Sequence, residues 1–512
     1  MRRTPEALTD GTFDLLVLGG GITGAGVALD GALRGLRVAL IDKGDFASGT
    51  SSASSKLVHG GLRYLEHGDF RLVYEALHER RRLLRNAPHL VRPLRFVVPF
   101  YAGTRVPPWK WRAGLVLYDV LAGRGNLHRS RGRTARRLER DFPGLRCQGL
   151  RGGAEYSDAQ MDDARLCVEV LRTAALHGAV AVNYVEAVGF ERAGDPITAV
   201  RALDRIGGSE LRVRARQVLN ATGPWADAVR RLAGEEAGPL LKPTKGVHII
   251  APGRRLPAAF LLLHPADGRV FFVIPWLGKT LIGTTDTEWA GPADELRVTD
   301  ADVAYLLEGH NHYLEPSLSA ADLMGQFVGL RPLLGGSGGP SARSREFQVS
   351  VGPTGLMTVA GGKYTTYRHM AEVVTDAAAA RLGVARRCRT RDFALDGAPS
   401  GPWEKFAPAA ASDLKAVWGL NEEAATHLVN RYGRRAFDVA ARLGRDPALR
   451  RPVIDGEPDL LAEFAYQREQ ELALAPADFL LRRTRLGLFH PALLGSPPEL
   501  LRPGADSLRV SG

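Results

Sequence analysis

The sequence predicts an α/β protein of more than one domain that opens on a Rossmann-like dinucleotide-binding fold. Three observations carry this reading. At 512 residues the chain is longer than one ordinary core encloses. Over residues 13–41 an apolar run, a glycine turn, a helical stretch and a second apolar run follow in order. Beyond residue 410 the composition is helical to near Leu488 and proline-rich after it.

Each element has its own signal. Phe13–Leu18 is short, apolar and ended by glycines, as a buried parallel strand should be. Ile22 to Leu33 is a helix with small residues on one face, closed by Gly35. Arg37–Ile41 is the second strand. Asp45 to Ser55 is small and hydroxyl-rich, a loop by composition, and Asp69 to Asn86 is a helix. Asp163 to His177 reads as a helix, followed by a strand at Ala179–Tyr184. Val218–Leu219 ends a strand that runs into Asn220–Gly223. Val270–Trp276 and Thr280–Thr284 flank Leu277-Gly278 as a hairpin. Gly335–Gly339 is a flexible loop, and Gly361-Gly362 precedes a helix from Tyr367 to about Arg381. Gly397 to Ala410, with its prolines and alanines, reads as a linker.

Composition narrows the class. An apolar share of 45% with 24% charged residues suits a globular chain whose core needs no staples. Cys147, Cys167 and Cys388 form neither a CxxC pair nor a metal pattern, which favours a reducing compartment and inert thiols. No run approaches the roughly 18 apolar residues that span a bilayer, and Phe13–Leu18 is too short for a signal segment. The expected location is cytoplasmic, or on a membrane without crossing it. A net charge of +12 suits an anionic substrate, anionic lipid or nucleic acid. The basic run Arg129–Arg140 has no aromatic residue for base stacking, which argues against nucleic acid. Trp109, Trp111, Leu115 and Tyr118 fall near helical spacing beside Lys110 and Arg112. That pattern fits a buried helix or a membrane interface.

The chemistry-bearing motifs begin with Gly19-x-Gly21-x-x-Gly24. Gly19 permits the tight turn, Gly21 admits a pyrophosphate, and Gly24 lets helix and strand pack closely. The pyrophosphate then meets the N–H groups of the helix start, around Ile22 and Thr23. Asp42 ends the second strand, placed for a ribose hydroxyl, and favours FAD or NAD over NADP. Lys43 follows it. Asn220-Ala221-Thr222-Gly223 resembles the second dinucleotide signature of FAD enzymes. The segment Thr50-Ser51-Ser52-Ala53-Ser54-Ser55-Lys56-Leu57-Val58-His59-Gly60-Gly61-Leu62-Arg63-Tyr64 offers hydroxyls and glycines to wrap a cofactor, with His59 uncrowded beside two glycines. Arg331, Arg345 and Lys363 stand in glycine-rich or loop contexts, where guanidinium and ammonium groups bind phosphate.

Together these strings resemble the FAD-dependent, aerobic glycerol-3-phosphate dehydrogenase family. The matching stretches are Gly19–Gly24, Thr50–Leu65, Glu155–Arg165, Asn220–Trp225, Lys245–His248, Val270–Asp286, Gly329–Leu333, Gly361–Arg368 and Leu480–Gly487. The resemblance implies an α/β and α+β architecture: an FAD-binding Rossmann-like domain, an antiparallel-sheet substrate domain and a C-terminal helical domain. The expected division is an FAD oxidoreductase region over 1–396, a linker over 397–410 and a helical domain over 411–512. FAD would draw on about 1–60, 150–225 and 350–396, and substrate on about 61–149 and 226–349. Arg63, Tyr64, His248, Thr285, Arg331, Arg345 and Lys363 match substrate positions, and His59 matches the histidine near the flavin. Val185, Gly362, Tyr364 and Thr365 join the residues above around the cofactor. Asp42 stands where glutamate is common. The implied reaction takes sn-glycerol 3-phosphate to dihydroxyacetone phosphate, with His59 or His248 as base. Electrons would pass to a membrane quinone from a protein held peripherally on an anionic inner membrane face, as a homodimer. The rival readings are an oxidase of the same family that uses oxygen, an amino-acid or hydroxy-acid oxidase of the same fold, and a binding module without catalysis.

Overall fold

The computed structural model describes residues 1–104, 106–236, 238–253, 256–335, 346–498 and 501, the side chain of residue 67 excepted. Arg345 and most of the Gly335–Gly339 loop lie outside the described residues.

Two sheets organise the chain. The first runs in the order Phe347–Val351, Met357–Gly361, Glu210–Asn220, Thr12–Leu18, Val38–Ile41, Val180–Val182. Its central pairs are parallel, Thr12–Leu18 lying between Glu210–Asn220 and Val38–Ile41. Helix α1 (Ile22–Leu33) covers one face together with the helices Asp163–Leu176 and Tyr367–Leu382. Nearly every residue of α1 is buried, and small side chains make that contact possible. A Cβ on Gly26 would lie 3.0 Å from Ala371 Cβ and from the Tyr367 ring.

The second sheet has ten strands and is mostly antiparallel, with Val91–Tyr101 and Leu150–Met161 paired along most of their length. The expected hairpin is Val270–Trp276 with Lys279–Gly283, turning on Leu277 and Gly278, both at positive φ. Helices α2 (Phe70–Asn86) and α3 (Pro108–Ala122) pack on its side, where Val73, Leu77, Leu115 and Tyr118 share one buried cluster. Helix α3 is two-faced: Leu115, Tyr118 and Ala122 are buried, while Trp109, Val116 and Val120 are open to solvent.

The tail is helical, with Trp403–Trp418, Glu422–Tyr432, Ala436–Ala440 and Leu461–Glu471 around their own apolar cluster. Half of the stretch expected as a linker is therefore helix, beginning at Trp403 with Pro408 inside it. Ala407, Ala409, Ala410 and Ala411 supply helix propensity that the proline, read alone, concealed. Buried ion pairs tie this tail to the first sheet. Arg483 donates to both oxygens of Asp45, each at 2.9 Å, and Arg482 reaches the same carboxylate at 2.5 Å. Glu471 pairs with Arg165. The cysteines are free thiols, and among the described residues no helix is long and apolar enough to cross a membrane.

Candidate active site

A cavity of about 1050 Å³ lies between the two sheets. Glycine geometry builds one end. Gly19 sits at φ +106°, and a Cβ there would come within 2.6 Å of Ala221 O. A Cβ on Gly24 would lie 2.0 Å from Gly19 O, so only hydrogen lets the helix start press against the turn. Ser51 Oγ accepts the Ile22 N–H at 2.9 Å and folds the hydroxyl loop over that helix start. Thr50 Oγ1 donates to Leu330 O at 2.6 Å, fastening the same loop to the second sheet. Asp42 accepts the Gly20 N–H at 2.7 Å and the Gly44 N–H at 2.8 Å. Burial pushes its carboxyl up to about 6, against the pull of those two hydrogen bonds. Lys43 Nζ meets Asp294 at 2.9 Å and lies 4.5 Å from the centre of the Trp225 ring, beside the Asn220–Trp225 string.

The opposite end is cationic. Arg63, Arg269, Arg331 and Lys363 line it with Tyr64, His59, His248 and Phe272. Lys363 Nζ stands 3.6 Å from the Tyr64 ring centre, a cation–π contact. Arg331, at the end of strand Gly325–Arg331, donates to Thr284 Oγ1 at 2.8 Å and Thr285 O at 3.1 Å, and pairs with Asp286 at 3.2 Å. These bonds lock the plane of the guanidinium at the wall. Gly246 makes room for it, since a Cβ there would meet the guanidinium at 2.5 Å.

The two histidines are held differently. His248 lies on Thr244–Ala251, in register with Gly283 on one side and Phe327 on the other. Its ring stacks on Phe327 at 4.9 Å, and its Nε2 bonds Ser55 Oγ at 2.8 Å. His59 donates its backbone N–H to Thr365 Oγ1 at 3.2 Å, and its ring meets Phe272 edge-on. Burial, then Lys363, Arg63 and Arg80, push His59 down to about 3. Burial with Arg331 and Lys56 holds His248 well below the usual histidine range. Both rings are therefore neutral at physiological pH, each with a nitrogen lone pair able to accept a proton.

Of the residues singled out from the sequence, the cavity wall holds Gly19, Gly21, Ile22, Thr23, Asp42, Lys43, Thr50, Ser51, Ser55, Leu57, His59, Gly61, Arg63 and Tyr64. It also holds Val185, Ala221, Thr222, Gly223, His248, Arg331, Gly362, Lys363, Tyr364 and Thr365. Gly24, Ser52, Lys56, Gly60 and Thr285 stand behind it. Lys56 is fully buried, its Nζ 2.7 Å from Asp163 Oδ2 and bonded to Ser52 O. Thr285 Oγ1 accepts the Val247 N–H at 3.0 Å.

Sequence reasoning missed three supports. Asp158 takes Tyr118 OH at 2.7 Å and Arg80 at 2.5 Å, and Tyr118 Oη in turn accepts the Gly60 N–H at 2.8 Å. This buried group holds the glycines beside His59. Arg80 and Asp158 are remote in sequence, and only the matched stretch Glu155–Arg165 drew attention to either. Arg269, which donates to Asp286 O at 2.7 Å, precedes the matched stretch Val270–Asp286 by one residue and had no signal of its own.

The residues fit a flavin dinucleotide. The glycine turn leaves space that a Cβ would fill, an acid ends the second strand, and the volume is at the upper end for small-molecule sites, about 1,000 Å³. Comparison with known proteins agrees. Residues 14–368 match the family model described as FAD dependent oxidoreductase, and residues 388–498 match the C-terminal domain of alpha-glycerophosphate oxidase. The glycerol-3-phosphate dehydrogenase 2 of Mycobacterium tuberculosis is 40% identical over 486 residues, covering 94% of this chain and 82% of that protein. The human mitochondrial glycerol-3-phosphate dehydrogenase is 38% identical, over 93% of this chain and 68% of its own. The X-ray structure of the Bacillus halodurans glycerol-3-phosphate dehydrogenase complexed with FAD superposes with a TM-score of 0.79 at 31% identity, over 96% of this chain and 90% of that one. On this footing the chain is a member of the FAD-dependent oxidoreductases and, within them, belongs to the FAD-dependent glycerol-3-phosphate dehydrogenase family.

Proposed function

We propose that the protein oxidises sn-glycerol 3-phosphate to dihydroxyacetone phosphate. The observation that carries this reading is the cationic end of the cavity, where Arg63, Arg269, Arg331 and Lys363 gather beside two uncharged histidines. A phosphate dianion suits those cations, with Arg331 presenting a fixed guanidinium plane and Lys363 a point charge. Tyr64, under Lys363, limits where that charge can sit.

His59 takes the C2 hydroxyl proton. Its ring nitrogens have no hydrogen-bond partner among the described residues, whereas His248 Nε2 is committed to Ser55. In the free site the surrounding cations hold His59 near 3. The substrate's two negative charges offset them and raise its basicity when proton transfer is needed. His248, between Phe327 and Gly283, orients the substrate from the sheet. A bound FAD would supply the acceptor for the hydride leaving C2, with a quinone as the onward electron acceptor. The net charge of +12 supports peripheral attachment to an anionic membrane. We assign the division into an FAD-binding region, a substrate sheet and a helical tail to these roles, and a homodimer as the working assembly.

The test is anaerobic addition of sn-glycerol 3-phosphate to the purified holoenzyme. Bleaching of the flavin band with release of dihydroxyacetone phosphate is the expected result, and a band that stays unchanged would overturn the assignment. Re-oxidation by a quinone analogue in preference to air then supports the quinone acceptor.

A further inference from the structure

One apolar surface serves neither the core nor the cavity. On helix α3, Trp109 is 71% exposed, Val116 60% and Val120 69%. With Ala113, also exposed, they follow i, i+4, i+7, i+11 and form one stripe, opposite the buried Leu115, Tyr118 and Ala122. On the adjoining helix α2, Phe70 is 49% and Tyr74 50% exposed. Lys110 lies 3.6 Å from Glu66 just before α2, and a Cβ on Gly125 after α3 would meet Arg81 at 3.1 Å. The two helices therefore run side by side in the same direction. Both pack their inner faces on one cluster, so both outer faces turn away from the same core.

Cations rim this stripe. Arg71, Lys110, Arg112 and Arg124 are exposed on the two helices and the turn that follows. The guanidinium of Arg112 lies over Gly132, which brings the strand Arg131–Arg133 to the rim as well. Of the nearby acids, Glu66, Glu75 and Glu155 pair with Lys110, Arg71 and Arg131, and Asp119 accepts from Ser130, while Asp69 beside Phe70 is exposed. An apolar stripe bearing a tryptophan, edged by lysine and arginine, matches the chemistry of a bilayer interface with negative headgroups.

We infer that the outer faces of α2 and α3 are the surface that docks on an anionic lipid bilayer, with Trp109, Val116 and Val120 entering the headgroup boundary. This rests on the peripheral attachment proposed above and names the face that makes it. Tyr118, on the inner side of α3, holds the Gly60 N–H beside His59, so the docked helix also braces the active site.

The experiment uses the full-length holoenzyme and vesicles of phosphatidylcholine with or without phosphatidylglycerol. The wild type is expected to sediment with the anionic vesicles. Val116→Asp with Val120→Asp removes two apolar anchors and adds two charges of the lipid's own sign, and should weaken partitioning about a hundredfold. Both side chains are exposed, so flavin content and anaerobic reduction by substrate should stay at the wild-type level. Brominated lipid should quench tryptophan emission in the wild type, and Trp109→Phe should lose most of that quenching. Undiminished vesicle binding by the double variant would overturn this face while leaving peripheral attachment standing. So would a shift from dimer to monomer with binding retained, which would make the stripe a contact between copies. A wild type that ignores anionic vesicles would overturn the attachment and this inference together, without touching the assignment of substrate.

Discussion

Replacing Gly283 with alanine tests whether the His248 ring must hold its place. The added Cβ would lie 2.2 Å from His248 Cδ2, 2.7 Å from Cγ and 2.9 Å from Nε2. The ring has no retreat, because Phe327 stacks on its other face at 4.9 Å. It must swing, and the 2.8 Å bond from Nε2 to Ser55 Oγ goes with it. Overpacking of this kind costs about 1–3 kcal/mol, and the lost hydrogen bond about 0.5–1.5 kcal/mol. The expected loss of stability is therefore about 1.5–4.5 kcal/mol, read by thermal unfolding with flavin bound. A displaced histidine should slow anaerobic flavin reduction by roughly 10- to 100-fold, read by stopped-flow absorbance with the ratio of flavin to protein unchanged. Adding Phe327→Leu gives the ring somewhere to go and should restore part of the rate. A Gly283→Ala enzyme that reduces its flavin at the wild-type rate refutes the argument for a fixed imidazole.

Other perturbations address the remaining groups. His59→Asn should lower the reduction rate by about 10²–10⁴ while retaining flavin; because His59 in the free enzyme lies near 3, kcat/KM should show no acid limb from it above about pH 5. Asp42 is raised from 3.8 to about 6, so folding gains nothing from its ionisation. Between those two values the folded state holds the extra proton, and stability from this group falls as pH rises, by at most about 3 kcal/mol. Asp42→Asn should thus raise the melting temperature of the apoprotein at pH 8, with the gain vanishing as pH drops through 6 towards 4, while flavin affinity falls. Asp45→Ala leaves Arg482 with Asp478 and Arg483 with Glu471 as their remaining partners, and should cost about 2–4 kcal/mol, loosening the helical tail; limited proteolysis that cleaves the tail no faster than in wild type would count against that role.

The fold was legible where its signals are local. The strand, glycine turn, helix and strand over residues 12–41 need only neighbours to specify them, and the structure has α1 at Ile22–Leu33 as its periodicity demands. The hairpin at Leu277-Gly278 is equally local. The second partner of Thr12–Leu18 is not: Glu210–Asn220 lies about two hundred residues on, and nothing in either strand names the other. The linker misreading has the same origin. Pro408 is a local breaker, whereas the packing of Ala410, Ala411 and Leu414 against later helices that keeps it in a helix is not local.

The site shows a further limit, set by charge. With 68 lysines and arginines in the chain, no single cation announces its purpose. Lys56 sits within the segment that most resembles a cofactor wrap, yet it is sealed against Asp163, and burial lowers it to about 8. Arg80 is equally buried and is spent on Asp158. Arg269 drew no notice and stands on the cavity wall. What separates these residues is the direction in which each side chain leaves its strand or turn. That direction follows from strand register: the pairing of Thr244 with Arg331 sets one guanidinium at the cavity, just as the pairing of His248 with Gly283 frees room for one imidazole. A shift of one residue in either pairing would turn those side chains to the other face of the sheet. The motif strings therefore locate the site along the chain, while the antiparallel register of the second sheet decides which of its cations can reach a phosphate.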